Sequence, residues 1–156
     1  MTSEEFSERI IAFMQTLYRV SYSQLSQKCD REDAVQECLF KAWQKRHQLK
    51  DERFMQTWVI RILLNECHNI RHKKRRETTL ENVPDLVAPA DADKEIHDAL
   101  LDLEEALRLP IILHYIEGYT VKEIAKILRL PQGTVKSRMS RGRNRLKEKN
   151  DLEVKA

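Results

Sequence analysis

Phe6, Ile10, Phe13, Leu17 and Val20 recur every three or four residues. That interval returns each side chain to one side of an α-helix, so it predicts a long amphipathic first helix. A second run, Val35, Cys38, Leu39, Ala42 and Trp43, predicts a helix that starts near Asp30 to Asp33 and buries those positions. A third, Met55, Trp58, Val59, Ile62, Leu63, Cys67 and Ile70, predicts another of the same kind. The first glycine is Gly118 and the first proline Pro84, so no strong breaker interrupts this stretch. Three stripes of this width can cover one another, and residues 4–76 read as a helical bundle.

From about Arg76 the periodicity fails. The stretch RRETTLENVPDLVAPADAD carries two prolines and many acids. It has too little apolar surface to offset the entropy of ordering, so 77–95 reads as a linker. Helical spacing returns with Ile96, Leu100, Leu103 and Leu107. Pro110 then implies either a kinked continuation or a restarted helix with proline in its first turn. Gly118 stands where a helix C-cap is wanted, and Thr120 with Glu123 forms a capping box. The short helix so opened presents Val121, Ile124, Ala125 and Leu128 for burial. After the turn RLPQG, Pro131 is placed to start a last helix with a narrow stripe of Val135, Met139, Gly142 and Leu146. Outside that stripe lie Lys136, Ser137, Ser140, Arg141, Arg143, Asn144 and Lys147. Short helix, tight turn and basic helix make a helix-turn-helix, whose second helix enters the major groove of DNA, here with 134–145 facing it. The expected fold is all-α: two small helical domains, 1–76 and 96–150, on an acidic linker.

A content of 41% hydrophobic residues in 156 suits compact cores of modest size. The net charge of +3 conceals a segregation that changes the picture. Residues 61–76 hold six basic groups against one acidic, and 119–149 hold ten against two. Between them, 77–105 hold ten acidic groups against one basic. Two cationic patches imply polyanion contacts at two places. Cys29, Cys38 and Cys67 are odd in number and widely spaced, as reduced thiols are. The first ten residues, MTSEEFSERI, are acidic where a signal peptide is basic, and no apolar run reaches membrane-spanning length. The expected location is the cytoplasm. Cys67, His68 and His72 lack a fourth metal ligand, so no metal or cofactor is expected. No phosphate-cradling loop, carboxylate pair or Ser-His-Asp frame appears, so no enzyme is expected.

The stretch EGYTVKEIAKILRLPQGTVKSRMSRGRNRLK resembles the region-four DNA-binding helices of bacterial RNA polymerase sigma factors of the extracytoplasmic-function (ECF) group, within the sigma-70 family. Upstream, DREDAVQECLFKAWQ is similar to the region-two helix of that family, and FMQTWVIRILLNECHNIRHKKRR to its promoter-melting helix. The motifs occur in family order and cover nearly the whole chain. The resemblance implies a factor that binds core RNA polymerase and directs initiation at chosen promoters, region two capturing the melted minus-ten element and region four reading the minus-thirty-five element.

Residue by residue, the resemblance implies polymerase binding by Asp33, Gln36 and Glu37. It implies minus-ten contacts by Arg61, Asn65, Arg71, Lys73, Lys74, Arg75 and Arg76, with the loop from Lys50 to Phe54 holding a flipped base. Trp58, on the apolar stripe, is expected in the core. For the minus-thirty-five element it implies Thr134, Lys136, Ser137, Arg138, Arg141 and Arg143, with Lys122 on a phosphate, while Arg145 and Lys147 are left to solvent. Promoter DNA, core polymerase and an anti-sigma factor, often membrane-bound in this family, are the implied partners. The chain departs from the family pattern at Glu104, where proline is common, at Asn69, where aspartate is usual, and at Gly142, where alanine is usual. It ends soon after the basic helix, so regulation is expected from outside. The competing reading is a helix-turn-helix regulator acting without polymerase. That would need a receiver or ligand pocket in the first half, where this chain has a second cationic helix.

Overall fold

The computed structural model describes residues 1–77 and 98–155. The expected linker, 77–95, lies outside them but for Glu77, as does Ile96. The chain divides into two compact units, Met1–Val87 and Ala88–Ala156, and the described residues contain helices and turns with no strand.

In the first unit, α1 spans Ser3–Gln24. Thr2 and Glu5 close a capping box, the Glu5 N–H donating to Thr2 Oγ1 at 3.1 Å and the Thr2 N–H to Glu5 Oε2 at 2.8 Å. The predicted stripe from Phe6 to Val20 is buried throughout. Helix α2, Lys28–Gln44, starts slightly ahead of the expected Asp30 to Asp33. Its buried face is Arg31, Ala34, Val35, Cys38 and Ala42: Val35, Cys38 and Ala42 are buried as predicted, and the face extends to Arg31 and Ala34 instead of Leu39 and Trp43. Leu39 is half-buried, and Trp43, expected in the core, is 39% exposed. Leu39 and Trp43 lie on one flank of the buried seam; Trp43 follows Ala42 by about 100° around the axis, and that step carries it outside. Its ring meets Phe6 at 6.0 Å and is covered by Arg46 at 4.0 Å.

Two short 3-10 turns, Arg46–Gln48 and Glu52–Phe54, lead into α3, Met55–Arg76, which packs on α2 and α1. Met55, Val59, Leu63 and Cys67 are buried as predicted, together with Ile60 and Glu66, while Trp58, Ile62 and Ile70 are only half-buried. Arg31 is buried too, donating to the carbonyls of Leu25 (3.2 Å) and Ser26 (3.0 Å) with its cation over the Tyr22 ring. A guanidinium supplies several donors in a rigid fork, so it closes the α1–α2 turn while satisfying its own charge.

In the second unit, residues 98–101 are helical and the chain turns before α4, Glu105–Ile111. Helix α4 runs through Pro110 and passes into a π turn, Ile112–Ile116, so of the two alternatives the helix continues. Its break lies instead at 102–104. Gly118, at φ 80°, ends the turn in the left-handed region that glycine adopts without a Cβ penalty. The Thr120–Glu123 box then opens α5, Val121–Leu128. Ile124 and Ile127 are the buried residues of α5; Val121, Ala125 and Leu128, predicted inside, are half-buried. Arg129, at φ 56° and ψ 46°, makes the turn to α6, Gln132–Lys155. Pro131 precedes the helix as a cap, its carbonyl accepting from the N–H groups of Thr134 (3.1 Å) and Val135 (3.2 Å). The predicted α6 stripe turns inward: Val135, Met139 and Gly142 are buried, and Leu146 packs on the cluster of Leu100, Leu103, Ile111 and Ile112.

Candidate nucleic-acid and polymerase interfaces

The inward stripe of α6 fixes which way the rest of that helix points. Lys136, Ser137, Arg141 and Arg143 are exposed, with Thr134 and Arg138 half-buried beside them. Lys122 is exposed on α5. The residues predicted for this site therefore gather on the outer side of a helix-turn-helix whose two helices are packed together. Their cations are not equivalent. Arg143 Nη1 donates to the Tyr115 hydroxyl at 3.2 Å, Arg145 pairs with Glu104 at 2.9 Å, and Lys149 pairs with Asp102. Glu104, the departure from the family proline, stands at the N-cap position of α4 with no side-chain cap, and its exposed carboxylate pairs with Arg145 of α6, which remains exposed to solvent as expected.

The second cationic patch is the C-terminal half of α3. Asn65, Lys73, Arg75 and Arg76 are exposed, and Arg61 is half-buried. Two of the predicted contacts are tethered to the scaffold: Arg71 Nη1 donates to Gln24 Oε1 at 3.1 Å, and Lys74 pairs with Asp30, whose carboxylate is largely enclosed. These bonds anchor α3 to α1 and α2. Cations in the last turn also suit the negative helix terminus, a stabilising role independent of DNA. His68 and His72 stack in parallel on the exposed side of α3, ring centroids 6.0 Å apart, while Cys67 points inward. Among the described residues no three His, Cys, Asp or Glu side chains are grouped to hold a metal ion. None of the described helices is long and apolar enough to cross a membrane.

The loop before α3 is braced internally. Arg53 grips Asp51 through Nε at 3.1 Å and Nη2 at 2.8 Å, and this hydrogen bonding holds the Asp51 carboxyl below its ordinary range. Lys50, Arg53 and Phe54 are exposed at its tip.

On α2, Asp33, Gln36 and Glu37 lie exposed on one side. Continuing that side by helical steps reaches Phe40, 56% exposed, and Trp43. Apolar periodicity in the sequence misses Phe40 and misplaces Trp43, although the i, i+4, i+7 relation from Gln36 marks both. Behind this face, Lys41 bonds Glu66 of α3 at 2.5 Å and lies 4.0 Å from Glu37. The Glu66 hydrogen bond raises the Lys41 pKa and keeps the ammonium charged at the helix seam.

Comparison with known proteins places both halves. The sigma-70 region 2 model matches residues 10–77, and the sigma-70 region 4 model matches 93–146. The chain is 28% identical to the ECF RNA polymerase sigma factor SigW of Bacillus subtilis, over 93% of this chain and 88% of that one. It is 29% identical to the ECF RNA polymerase sigma-E factor of Escherichia coli, over 77% and 73% respectively. Among solved structures it is similar to the sigma factor RpoE of Bartonella quintana, in complex with the anti-sigma factor NepR. That match has a TM-score of 0.81 and 30% identity, and covers 93% of this chain and 96% of the other. CnrH, solved with the cytosolic domain of CnrY, shares the fold at a TM-score of 0.75 and 22% identity, over 97% and 90%.

Proposed function

The chain belongs to the sigma-70 family, in its extracytoplasmic-function group, and on that premise we propose which of its surfaces carry out each part of the family's work. A sigma factor of this group binds core RNA polymerase and directs promoter-specific initiation, region two capturing the melted minus-ten element and region four reading the minus-thirty-five element. Here the minus-thirty-five reader is the outer side of α6 with Lys122. Lys136, Arg141 and Arg143 supply charge and forked donors, Ser137 and Thr134 supply short hydrogen-bonding groups, and Arg138 stands at the edge. The minus-ten strand lies along α3, Asn65 and Arg61 meeting unstacked bases and Lys73, Arg75 and Arg76 following the phosphates. Arg71 and Lys74 belong first to the scaffold and join the strand only by exchanging partners. Asp33, Gln36 and Glu37 dock on polymerase with Phe40 and Trp43 as apolar anchors, aromatic side chains being the usual energetic centres of such contacts.

The observation that carries this reading is the pair of exposed cationic faces, one in each unit, accompanied by an acidic and aromatic face on α2. A regulator acting without polymerase would leave the α2 face without a task. Domain limits of 1–76 and 96–150 with a linker at 77–95 accommodate both faces. The work is done in the cytoplasm beside polymerase, which supplies the catalysis, and an anti-sigma factor is the proposed restraint. The similar RpoE was solved with one.

Run-off transcription with purified core polymerase tests the whole. Wild type is expected to yield promoter-dependent transcripts. A Lys136→Ala/Arg141→Ala variant is expected to lose at least tenfold, in line with about 1–3 kcal/mol per specific contact. Tight duplex binding with no polymerase-dependent transcript would hand the case to the regulator.

A further inference from the structure

The π turn at 112–116 leaves one large aromatic side chain outside the core. Ile112 and Leu113 are fully buried, Ile116 packs on the apolar cluster, and Tyr115 is 56% exposed. In this setting Tyr115 faces α6. Its hydroxyl oxygen accepts from Arg143 Nη1 at 3.2 Å. The ring is itself held: His114 meets it edge-on, with centroids 4.8 Å apart at 84°. His114 in turn is fixed by the backbone, Nδ1 lying 2.8 Å from the Tyr119 carbonyl oxygen. A carbonyl only accepts, so Nδ1 carries the proton and the imidazole orientation is set. Tyr119 directly precedes the capping box that opens α5. One continuous line of contacts therefore runs from the backbone ahead of the helix-turn-helix, through His114 and Tyr115, to a guanidinium on α6.

We propose that Tyr115 is a positioning residue for Arg143. The proposal rests on the assignment of the outer side of α6 to the minus-thirty-five duplex. Arginine has a long side chain with many rotamers, and an exposed one reaches its target only after most are given up. The Tyr115 hydroxyl engages one Nη1 hydrogen and leaves the remaining donors of the fork to the duplex. Nothing in the sequence pattern marks Tyr115, because its tie to Arg143 spans 28 residues.

The test uses the full chain and a duplex carrying the minus-thirty-five element of a promoter found by mapping transcription start sites after overexpression. Binding is followed by fluorescence anisotropy across a salt series for wild type, Tyr115→Phe, Arg143→Ala and the double variant. Arg143→Ala is expected to weaken binding and to reduce the salt slope by about one. Tyr115→Phe, which keeps the ring, is expected to hold the melting temperature and to weaken binding about three- to tenfold. The double variant is expected to bind no more weakly than Arg143→Ala, since Tyr115 acts through that residue. Wild-type binding by Tyr115→Phe beside a weakened Arg143→Ala overturns the positioning role and leaves the reading of α6 intact. Losses that multiply in the double variant also overturn it. No loss in Arg143→Ala removes Arg143 from the DNA, and the assignment of that residue falls with the proposal.

Discussion

Gly142 illustrates how one missing methyl group can decide a helix contact. Glycine inside a helix costs roughly 1 kcal/mol against alanine, so Gly142→Ala would stabilise an isolated α6. A Cβ there, however, would run into Ile111 Cδ1, while it would make only ordinary contact with the Leu107 carbonyl at 3.4 Å. Overpacking costs about 1–3 kcal/mol, so the collision outweighs propensity and Gly142→Ala is expected to lower stability in urea titration. Adding Ile111→Val removes the offending methyl and should recover most of the loss. If Gly142→Ala is stabilising with Ile111 intact, glycine here has no packing role. The cysteines give a second expectation. Burial pushes the Cys38 thiol up to about 12 from its ordinary 9.0, so the folded state keeps a proton that the unfolded chain releases earlier. The stabilisation is complete below the unfolded value and is lost as pH climbs from 9 towards 12. Wild type should therefore lose stability over that climb faster than Cys38→Ala. Thiol reagents at neutral pH should reach Cys29, which is exposed, well before Cys38 or Cys67, which are buried.

Along α3 the question is which cations are available to DNA. Single-stranded phosphate binding changes with salt by about 0.7 per neutralised charge, so removing Lys73, Arg75 or Arg76 should each flatten the salt dependence of minus-ten strand binding by about that amount. Lys74→Ala should behave differently: it deprives an enclosed Asp30 of its partner, lowering thermal stability with a smaller change in slope. Equal slopes and equal melting temperatures for Lys73→Ala and Lys74→Ala would mean that the Asp30 tie contributes nothing in solution. The distinction is invisible in RHKKRR, where all the cations look alike. It arises because Arg71 is half-buried and bonded to Gln24 of α1, and Lys74, though exposed, reaches Asp30 of α2.

Across the molecule, the faces proposed for polymerase docking and for DNA contact lie on different helices and should separate. Phe40→Ala with Trp43→Ala is expected to weaken capture of core polymerase at least tenfold, large aromatic anchors costing about 2 kcal/mol or more when truncated. Binding of promoter duplex by the free chain should hold within about twofold. Neutralising α6 should do the reverse. Both measurements belong in one pull-down and anisotropy series; a double aromatic variant that captures polymerase normally would show that α2 docks elsewhere. Two modest DNA contacts on one tethered chain then combine by effective concentration, so losing either face should reduce transcription well beyond its own binding energy.

Periodicity and capping chemistry by themselves determine the all-α character, the buried stripe of α1, the box at Thr120 and Glu123, and the inward side of α6 with its cationic outer side. These are local properties: a helix of known pitch carries its own register, and a cap involves residues three apart. What spacing left open was how each helix is rotated against its neighbours. That rotation buried Arg31 and Glu66, put Trp43 and Phe40 at the surface, tied Lys74, Arg71 and Arg145 to distant acids or amides, and set Tyr115 against Arg143. The ties of Lys74, Arg71, Arg145 and Tyr115 join residues far apart in the chain, and the packing of the helices within each unit brings such pairs together.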